Sequence, residues 1–354
     1  MISRDYPSVP ESICILRLSA IGDCCHTLPV VRTLQSAFPA SRITWVIGKT
    51  EHALLKGADG IEFITFDKST GLSSWKDVRR RLSDDNFEVL LNMNASMRAN
   101  MVSTAIRARR RVGFDRARTR DFQWAFCNEQ IAERHPDRRH VLDGLFQFAE
   151  YLGVREREMR WDIPVSDADR QYARDMTGPN PTCVISPCSS QRARNFRNWS
   201  IEKYVELIGY LQTKYGTKVL LTGAPTDIEK HYEEEILSRT GSSVTSLIGK
   251  TSLKQLLAVI DAASLVICPD SGPAHMATAT DTPVVGLYAT SNPERTGPYN
   301  DLQRVANRYP DAIQLEFGKT VNEVRFGQRV RSPEAMDLIS VADVTAKIDT
   351  VLGA

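Results

Sequence analysis

The chain has no apolar stretch approaching the roughly 18 residues that a membrane span requires. Its start, Met1-Ile-Ser-Arg-Asp-Tyr-Pro7, lacks a basic region followed by an apolar core. The expectation is a cytoplasmic protein whose membrane contact is peripheral. An excess of one charge is also missing. The 45 Lys and Arg against 43 Asp and Glu leave a net charge of +2, which argues against a bulk nucleic-acid binder. No C-x-x-C pair occurs. The seven cysteines (Cys14, Cys24, Cys25, Cys127, Cys183, Cys188 and Cys268) are odd in number, and several sit in apolar runs such as Ser12-Ile-Cys-Ile-Leu16. Buried, reduced thiols are therefore expected, and adjacent Cys24 and Cys25 lack the partner spacing of a zinc site. A G-x-G-x-x-G fingerprint is absent, so a dinucleotide cofactor is poorly supported. No Asp-x-Asp motif lies at a strand end, since the acids of Asp162-Ile-Pro-Val-Ser-Asp-Ala-Asp169 fall between the two halves. No metal and no cofactor are expected.

What the chain does contain is a steady alternation of short apolar runs and amphipathic segments. Its 354 residues are enough for two domains, each with its own core. Strands are expected over Ile13–Leu18, Arg42–Ile47, Ile61–Phe66 and Val89–Met93, with a helix from about Thr27 to Phe38 stopped by Pro39. After breaker residues at Trp161-Asp-Ile-Pro164 and Gly178-Pro-Asn-Pro181, a second series begins. It comprises Cys183–Ser186, Val219–Leu221, Val244–Ile248, Leu265–Cys268 and Val284–Tyr288. Strand–helix repetition of this kind builds a parallel sheet covered by helices on both faces. Two Rossmann-like halves follow, spanning 1–165 and 166–338. The segment 339–354, with helical spacing over Val341–Leu352, is expected to pack back on the first half.

Four segments carry possible chemistry. Arg17-Leu-Ser-Ala-Ile-Gly-Asp23 sits where the first strand ends, the edge at which open α/β sheets bind ligands. Gly22 permits a tight turn and close approach of another molecule. Asp23 either takes a proton from an acceptor hydroxyl or caps the helix, and spacing alone leaves both readings open. Pro269-Asp-Ser-Gly-Pro-Ala-His275 follows another apolar run and places free backbone N–H groups at a helix start, a phosphate-binding arrangement. Ser271 adds a hydroxyl and His275 lies one turn further on. In Ser186-Pro-Cys-Ser-Ser-Gln-Arg-Ala-Arg-Asn-Phe-Arg197, Ser189 and Ser190 offer hydroxyls. Arg192, Arg194 and Arg197 offer cations for a leaving diphosphate. The basic segment Arg107–Arg120 reads as a solvated loop, an RNA-binding patch, or a face for an anionic sugar or membrane surface. Its one aromatic, Phe114, gives single-stranded nucleic acid little to stack on, so an anionic acceptor is favoured.

Two of these motifs, with two further strand-and-loop stretches, resemble the heptosyltransferases of bacterial lipopolysaccharide core assembly, glycosyltransferase family 9. The resemblance rests on Ser19-Ala-Ile-Gly-Asp23, Asp270-Ser-Gly-Pro-Ala-His275, Pro283-Val-Val-Gly-Leu-Tyr288 and Leu220-Leu-Thr-Gly-Ala-Pro225, in the family's order along nearly the whole chain. It implies a GT-B fold, with two Rossmann-like domains facing a central cleft, and inverting transfer of heptose from ADP-heptose. Asp23 is then the general base. Ser189, Ser190, Arg197, Glu229, Asp270, Ser271, Gly272 and His275 are the donor-binding set, with Glu229 as ribose ligand. The family usually has lysine where this chain has Arg197. Ile185-Ser-Pro-Cys-Ser-Ser190, Asn92-Met-Asn-Ala-Ser-Met-Arg98 and His140-Val-Leu-Asp-Gly144 resemble the heptosyltransferase I type, which acts on a Kdo residue of (phospho)Kdo–lipid A. Ser19, Gly22, Arg98, Arg120 and His140 then form the acceptor set, and the partners are ADP-heptose, that anionic lipid and the inner face of the cytoplasmic membrane. The rivals are a sugar-nucleotide epimerase of the same two-domain shape and an RNA-binding protein using the Arg107–Arg120 patch.

Overall fold

The strands form where short runs of β-branched and large apolar residues are bounded by turn residues, and these runs are buried on both faces. The computed structural model describes residues 9–132, 139–189 and 196–353. Within them the first sheet comprises β1 (Ser12–Arg17), β2 (Arg42–Gly48), β3 (Glu62–Phe66), β4 (Phe87–Asn92), β5 (Ala108–Gly113) and β6 (Glu129–Gln130). The second comprises β7 (Thr182–Ile185), β8 (Lys218–Leu221), β9 (Val244–Ser246), β10 (Leu265–Pro269), β11 (Val284–Tyr288) and β12 (Ala306–Asn307). Every pairing is parallel, in the orders β3-β2-β1-β4-β5-β6 and β12-β11-β10-β7-β8-β9. In β10 and β11 every residue is buried. That is the near-continuous burial that parallel sheets under two helical layers impose. The chain divides into two compact units, residues 9–132 with 141–164, and 139–140 with 165–353.

The first helix departs from expectation. It begins at Ile21 rather than near Thr27 and runs to Ala37, so Gly22 is its second residue and not a turn. Pro29 lies inside it and cannot donate to the Cys25 carbonyl one turn back. That carbonyl instead accepts the Trp161 indole N–H at 2.8 Å. The neighbouring Asp162 binds the buried Arg32 guanidinium at 2.6 Å. The Trp161–Pro164 stretch, read from sequence as a breaker, is thus a clamp across the first helix. Trp161→Phe keeps the ring and removes the donor. It is expected to cost about 1 kcal/mol of stability, read as a lowered urea midpoint with unchanged slope.

The terminal helix Val341–Leu352 packs against the second unit. Val344 and Ile348 are fully buried in that unit's core, beside Trp199, Tyr204 and Leu211. Tyr210 and Tyr215 both donate to Asp349. The apolar stripe therefore has its partner close at hand.

The first half of the Arg107–Arg120 segment is a strand, β5, rather than a solvated loop. Arg109 pairs with Glu88 of β4 at 2.9 Å, and Arg110 with Glu129 of β6 at 3.0 Å. Arg111 donates to the carbonyls of Ser103, Ile106 and Phe126. Arg118 binds Asp115 and Gln147. Arg110, Arg111 and Arg118 are thus half-buried and occupied inside the fold, while Arg107, Arg109, Arg116 and Arg120 are exposed.

Six of the cysteines are buried, Cys127 is half-buried, and all are reduced. Burial pushes the thiols upward, Cys25 to about 12 and Cys127 to about 11, so neither supplies a reactive thiolate. No helix among the described residues is long and apolar enough to cross a membrane.

Candidate active site

In each sheet the strand order reverses between two central neighbours, β1 and β4 in the first, β7 and β10 in the second. The chain leaves such a pair toward opposite faces, opening a crevice at the carboxyl ends of the strands. The two main motifs follow β1 and β10.

In the first unit, Arg17 ends β1 with its side chain buried. One guanidinium nitrogen donates to the Met93 carbonyl just beyond β4, and another pairs with Asp23 Oδ1 at 2.6 Å. The other Asp23 oxygen accepts the Ala20 backbone N–H at 3.0 Å. Asp23 therefore does contribute to the helix start, and its carboxylate is also gripped by a cation. Its side chain keeps 35% of its surface exposed against 10% for Arg17, so the carboxylate stays open to a partner while its orientation is fixed. Leu18 N–H donates to Asn94 Oδ1 at 3.0 Å, tying the loops after β1 and β4 together. Ser19 is half-buried beside them. Arg17 was quoted within the motif without a role, and no spacing rule marks it as the partner of Asp23.

Arg98, in the helix Met97–Ser103, and Arg120 are both exposed in this unit. His140 belongs to the second unit. It is buried there, its Nε2 lies 2.9 Å from the Gly297 carbonyl, and its ring meets Tyr299 edge to face. These contacts fix the orientation of the ring.

In the second unit, the helix Gly272–Ala279 starts directly after β10 with Ser271 at its N-cap in extended conformation. Among the described residues no side chain caps it, and beyond the Cys268 thiol beside it the buried Ser271 hydroxyl finds no partner. Pro273 has no N–H to lose, and the remaining N–H groups of the first turn, with the helix dipole, suit an anion. Gly272 is the first helical residue, and His275 is buried three positions on.

Asp270 is the hub that holds two cations. Its Oδ2 accepts from Ser291 at 2.7 Å and from Arg329 at 2.8 Å, and lies 3.7 Å from Arg197. Arg197 also donates to the Asp270 carbonyl at 3.0 Å. Burial alone would raise the Asp270 carboxyl, but the Arg329 and Arg197 guanidiniums outweigh it and hold it below the ordinary aspartate value of 3.8. Arg329 is a residue that sequence reasoning missed. It lies 59 positions from Asp270, in a local run with Arg325 and Arg331 that carries no recognisable spacing.

Ser189 is buried, its N–H bound to Asn198 Oδ1 at 3.0 Å. Ser190, Arg192 and Arg194 lie outside the described residues. Glu229 is the third residue of the helix Asp227–Thr240, and its carboxylate accepts from Ala224 N–H at 2.9 Å and the Thr226 hydroxyl at 2.6 Å. A Cβ on Gly223 would stand 2.7 Å from Glu229 Oε1, so the loop needs glycine for the acid to fold back over it. The geometry is that of a helix-start acid, with lone pairs left on both oxygens.

Comparison with known proteins adds to this picture. The sequence model of the family Glycosyltransferase family 9 (heptosyltransferase) matches residues 75–323. The chain is 39% identical over 344 residues to the lipopolysaccharide core heptosyltransferase OpsX of Haemophilus influenzae, covering 97% of each. Among solved structures it is similar to a family 9 glycosyltransferase from Veillonella parvula, with a TM-score of 0.77, 22% identity and 97% of each chain covered. It is also similar to the Escherichia coli heptosyltransferase WaaC solved with ADP, with a TM-score of 0.71, 18% identity, and 96% and 99% of the chains covered. Both structural likenesses are likenesses of fold, and that fold is GT-B.

Proposed function

Since the chain belongs to glycosyltransferase family 9, the heptosyltransferases, we propose that it transfers heptose from ADP-heptose, with inversion, to a Kdo residue of (phospho)Kdo–lipid A in lipopolysaccharide inner-core assembly. The observation that carries this reading is the pair of guanidiniums, Arg197 and Arg329, pinned by one buried carboxylate at an uncapped helix start. A departing nucleotide diphosphate needs that arrangement: fixed positive charge and N–H donors in place before the bond breaks. In the reaction proposed, Asp23 takes the proton of the acceptor hydroxyl as its oxygen attacks the anomeric carbon. ADP leaves, its charge met by the two arginines and the helix start, with no metal or cofactor required. The anomeric carbon inverts because attack and departure occur on opposite faces in one step.

Arg98 and Arg120, exposed on the first unit, suit a phosphorylated and hence strongly anionic acceptor. Such an acceptor is lipid-borne, which implies work at the inner face of the cytoplasmic membrane. The test is a transfer assay with ADP-heptose and matched acceptors with and without the Kdo phosphate. Removing the phosphate is expected to lower kcat/KM roughly tenfold or more, the value of a lost charged hydrogen bond. Equal rates on both acceptors would remove the phosphorylated Kdo from the proposal. No transfer to either would remove the acceptor class.

A further inference from the structure

Nine large hydrophobic residues are exposed among the described residues, and four of them fall within one short stretch of the first unit: Met97, Met101, Phe122 and Trp124. Met97 and Met101 lie one turn apart on the helix Met97–Ser103, hence on the same face. The loop carrying the two aromatics is fastened to that helix. Asp121 accepts the Met97 N–H at 2.9 Å through its carboxylate, and the Asn100 amide at 2.8 Å through its carbonyl. Between the aromatics, Gln123 is fully buried and donates to the Asn92 carbonyl at 2.9 Å, so the exposed Phe122 and Trp124 flank an anchored residue. Both Asp121 and Phe122 sit at positive φ, 51° and 59°, a backbone region unusual for a bulky side chain. The fold thus holds a phenylalanine 65% exposed on a locally strained turn. Burial of the ring does not account for that conformation.

The exposed charge around these residues is mainly basic. Arg98 is on the same helix, Arg120 and Arg116 precede the loop, and the Arg116 guanidinium stacks 5.7 Å over Trp124. Asp115 is buried against Arg118, and the exposed Asp121 accepts the Met97 N–H, so three exposed arginines stand against one exposed acid. Two aromatics and two methionines rimmed by arginine match the boundary of an anionic bilayer, where rings sit at headgroup depth and guanidiniums meet phosphate.

We infer that Met97, Met101, Phe122 and Trp124, with Arg98, Arg116 and Arg120, form the surface by which this chain docks on an anionic lipid bilayer. The inference rests on the proposed reading insofar as a lipid-borne acceptor gives such a surface its purpose, but its test does not use that acceptor. The full chain is floated with vesicles of phosphatidylglycerol and phosphatidylcholine in equal parts, and with phosphatidylcholine alone. The wild type is expected to float with the mixed vesicles and much less with the neutral ones. Phe122→Ser/Trp124→Ser is expected to lose about tenfold or more in partitioning, since two interfacial rings are removed. Both positions are solvent-exposed, so the double variant should melt like the wild type. Tryptophan emission should shift to the blue on adding mixed vesicles, and this shift should vanish in Trp124→Phe. Transfer to a deacylated, water-soluble acceptor should be unchanged in the double variant, while transfer to vesicle-borne acceptor falls. Equal flotation of variant and wild type overturns the inference. So does a wild type that ignores the mixed vesicles and instead self-associates through Trp124. Flotation without any transfer to Kdo acceptors would leave the docking surface standing and refute only the acceptor.

Discussion

Asp23→Asn is expected to lower the rate of heptose transfer by about 10²- to 10⁴-fold, the usual contribution of a general base, while ADP-heptose still binds. The asparagine keeps the size of the side chain, and its Oδ1 can still accept the Ala20 N–H that Asp23 accepts at 3.0 Å. What it loses is the ability to take a proton and the charge that Arg17 holds at 2.6 Å. Two readings of Asp23 therefore separate cleanly. If the carboxylate only fastens the helix start, the variant loses about 1 kcal/mol of stability and little activity. If it is the base, activity collapses and the melting temperature moves little. Single-turnover kinetics alongside thermal unfolding decide between them, and near-normal turnover would end the assignment. Arg17→Lys refines the test. A lysine keeps a charge but not the fork that spans Met93 and Asp23, so the base should be misplaced, with kcat lowered and donor affinity kept.

How much of this was legible before the structure depends on where each signal lives. Strands such as β4 and β10 announce themselves because a parallel strand covered on both faces must be apolar along its length. β5 hid because its three consecutive arginines read as solvated, and only the folded chain brings Glu88, Glu129 and three carbonyls to meet them. The first helix was placed too late because Gly22 and Pro29 both argue locally against helix, and the Trp161 indole that rescues the orphaned carbonyl comes from 136 residues away. The site divides along the same line. Asp23 and Ser271 could be picked out because they follow apolar strands at the edge where such sheets bind ligands. Arg329 could not, since its meaning lies wholly in its distance to Asp270. The surroundings of His140 were equally hidden, since nothing in its motif signals the Gly297 carbonyl and the Tyr299 ring that it meets.

Asp270→Asn should produce the second large effect, and it should appear in stability and affinity together. The substitution leaves two guanidiniums facing a neutral amide in a place where the side chain is only 8% exposed. Breaking such a pair costs about 3 kcal/mol, at the low end because Arg329 and Arg197 keep 36% and 24% of their own surfaces and can recover some hydration. The carboxyl is held below 3.8 in the folded chain, so its contribution is fully present above 3.8 and is lost as the pH falls through the lower folded value. The wild type should therefore destabilise across that acidic window more steeply than Asp270→Asn, whose urea midpoint should vary less with pH there. Affinity for ADP should fall as well, because the arginines lose the group that aims them, and Arg329→Ala tells the two effects apart. Removing the exposed end of the pair sacrifices a cation for the diphosphate, so ADP binding weakens by roughly tenfold, while Asp270 retains Ser291 and Arg197 and the fold keeps most of its stability. An Arg329→Ala variant that unfolds early yet binds ADP as tightly as the wild type would make Arg329 a structural strut and return the pyrophosphate to Arg197 and the helix start alone.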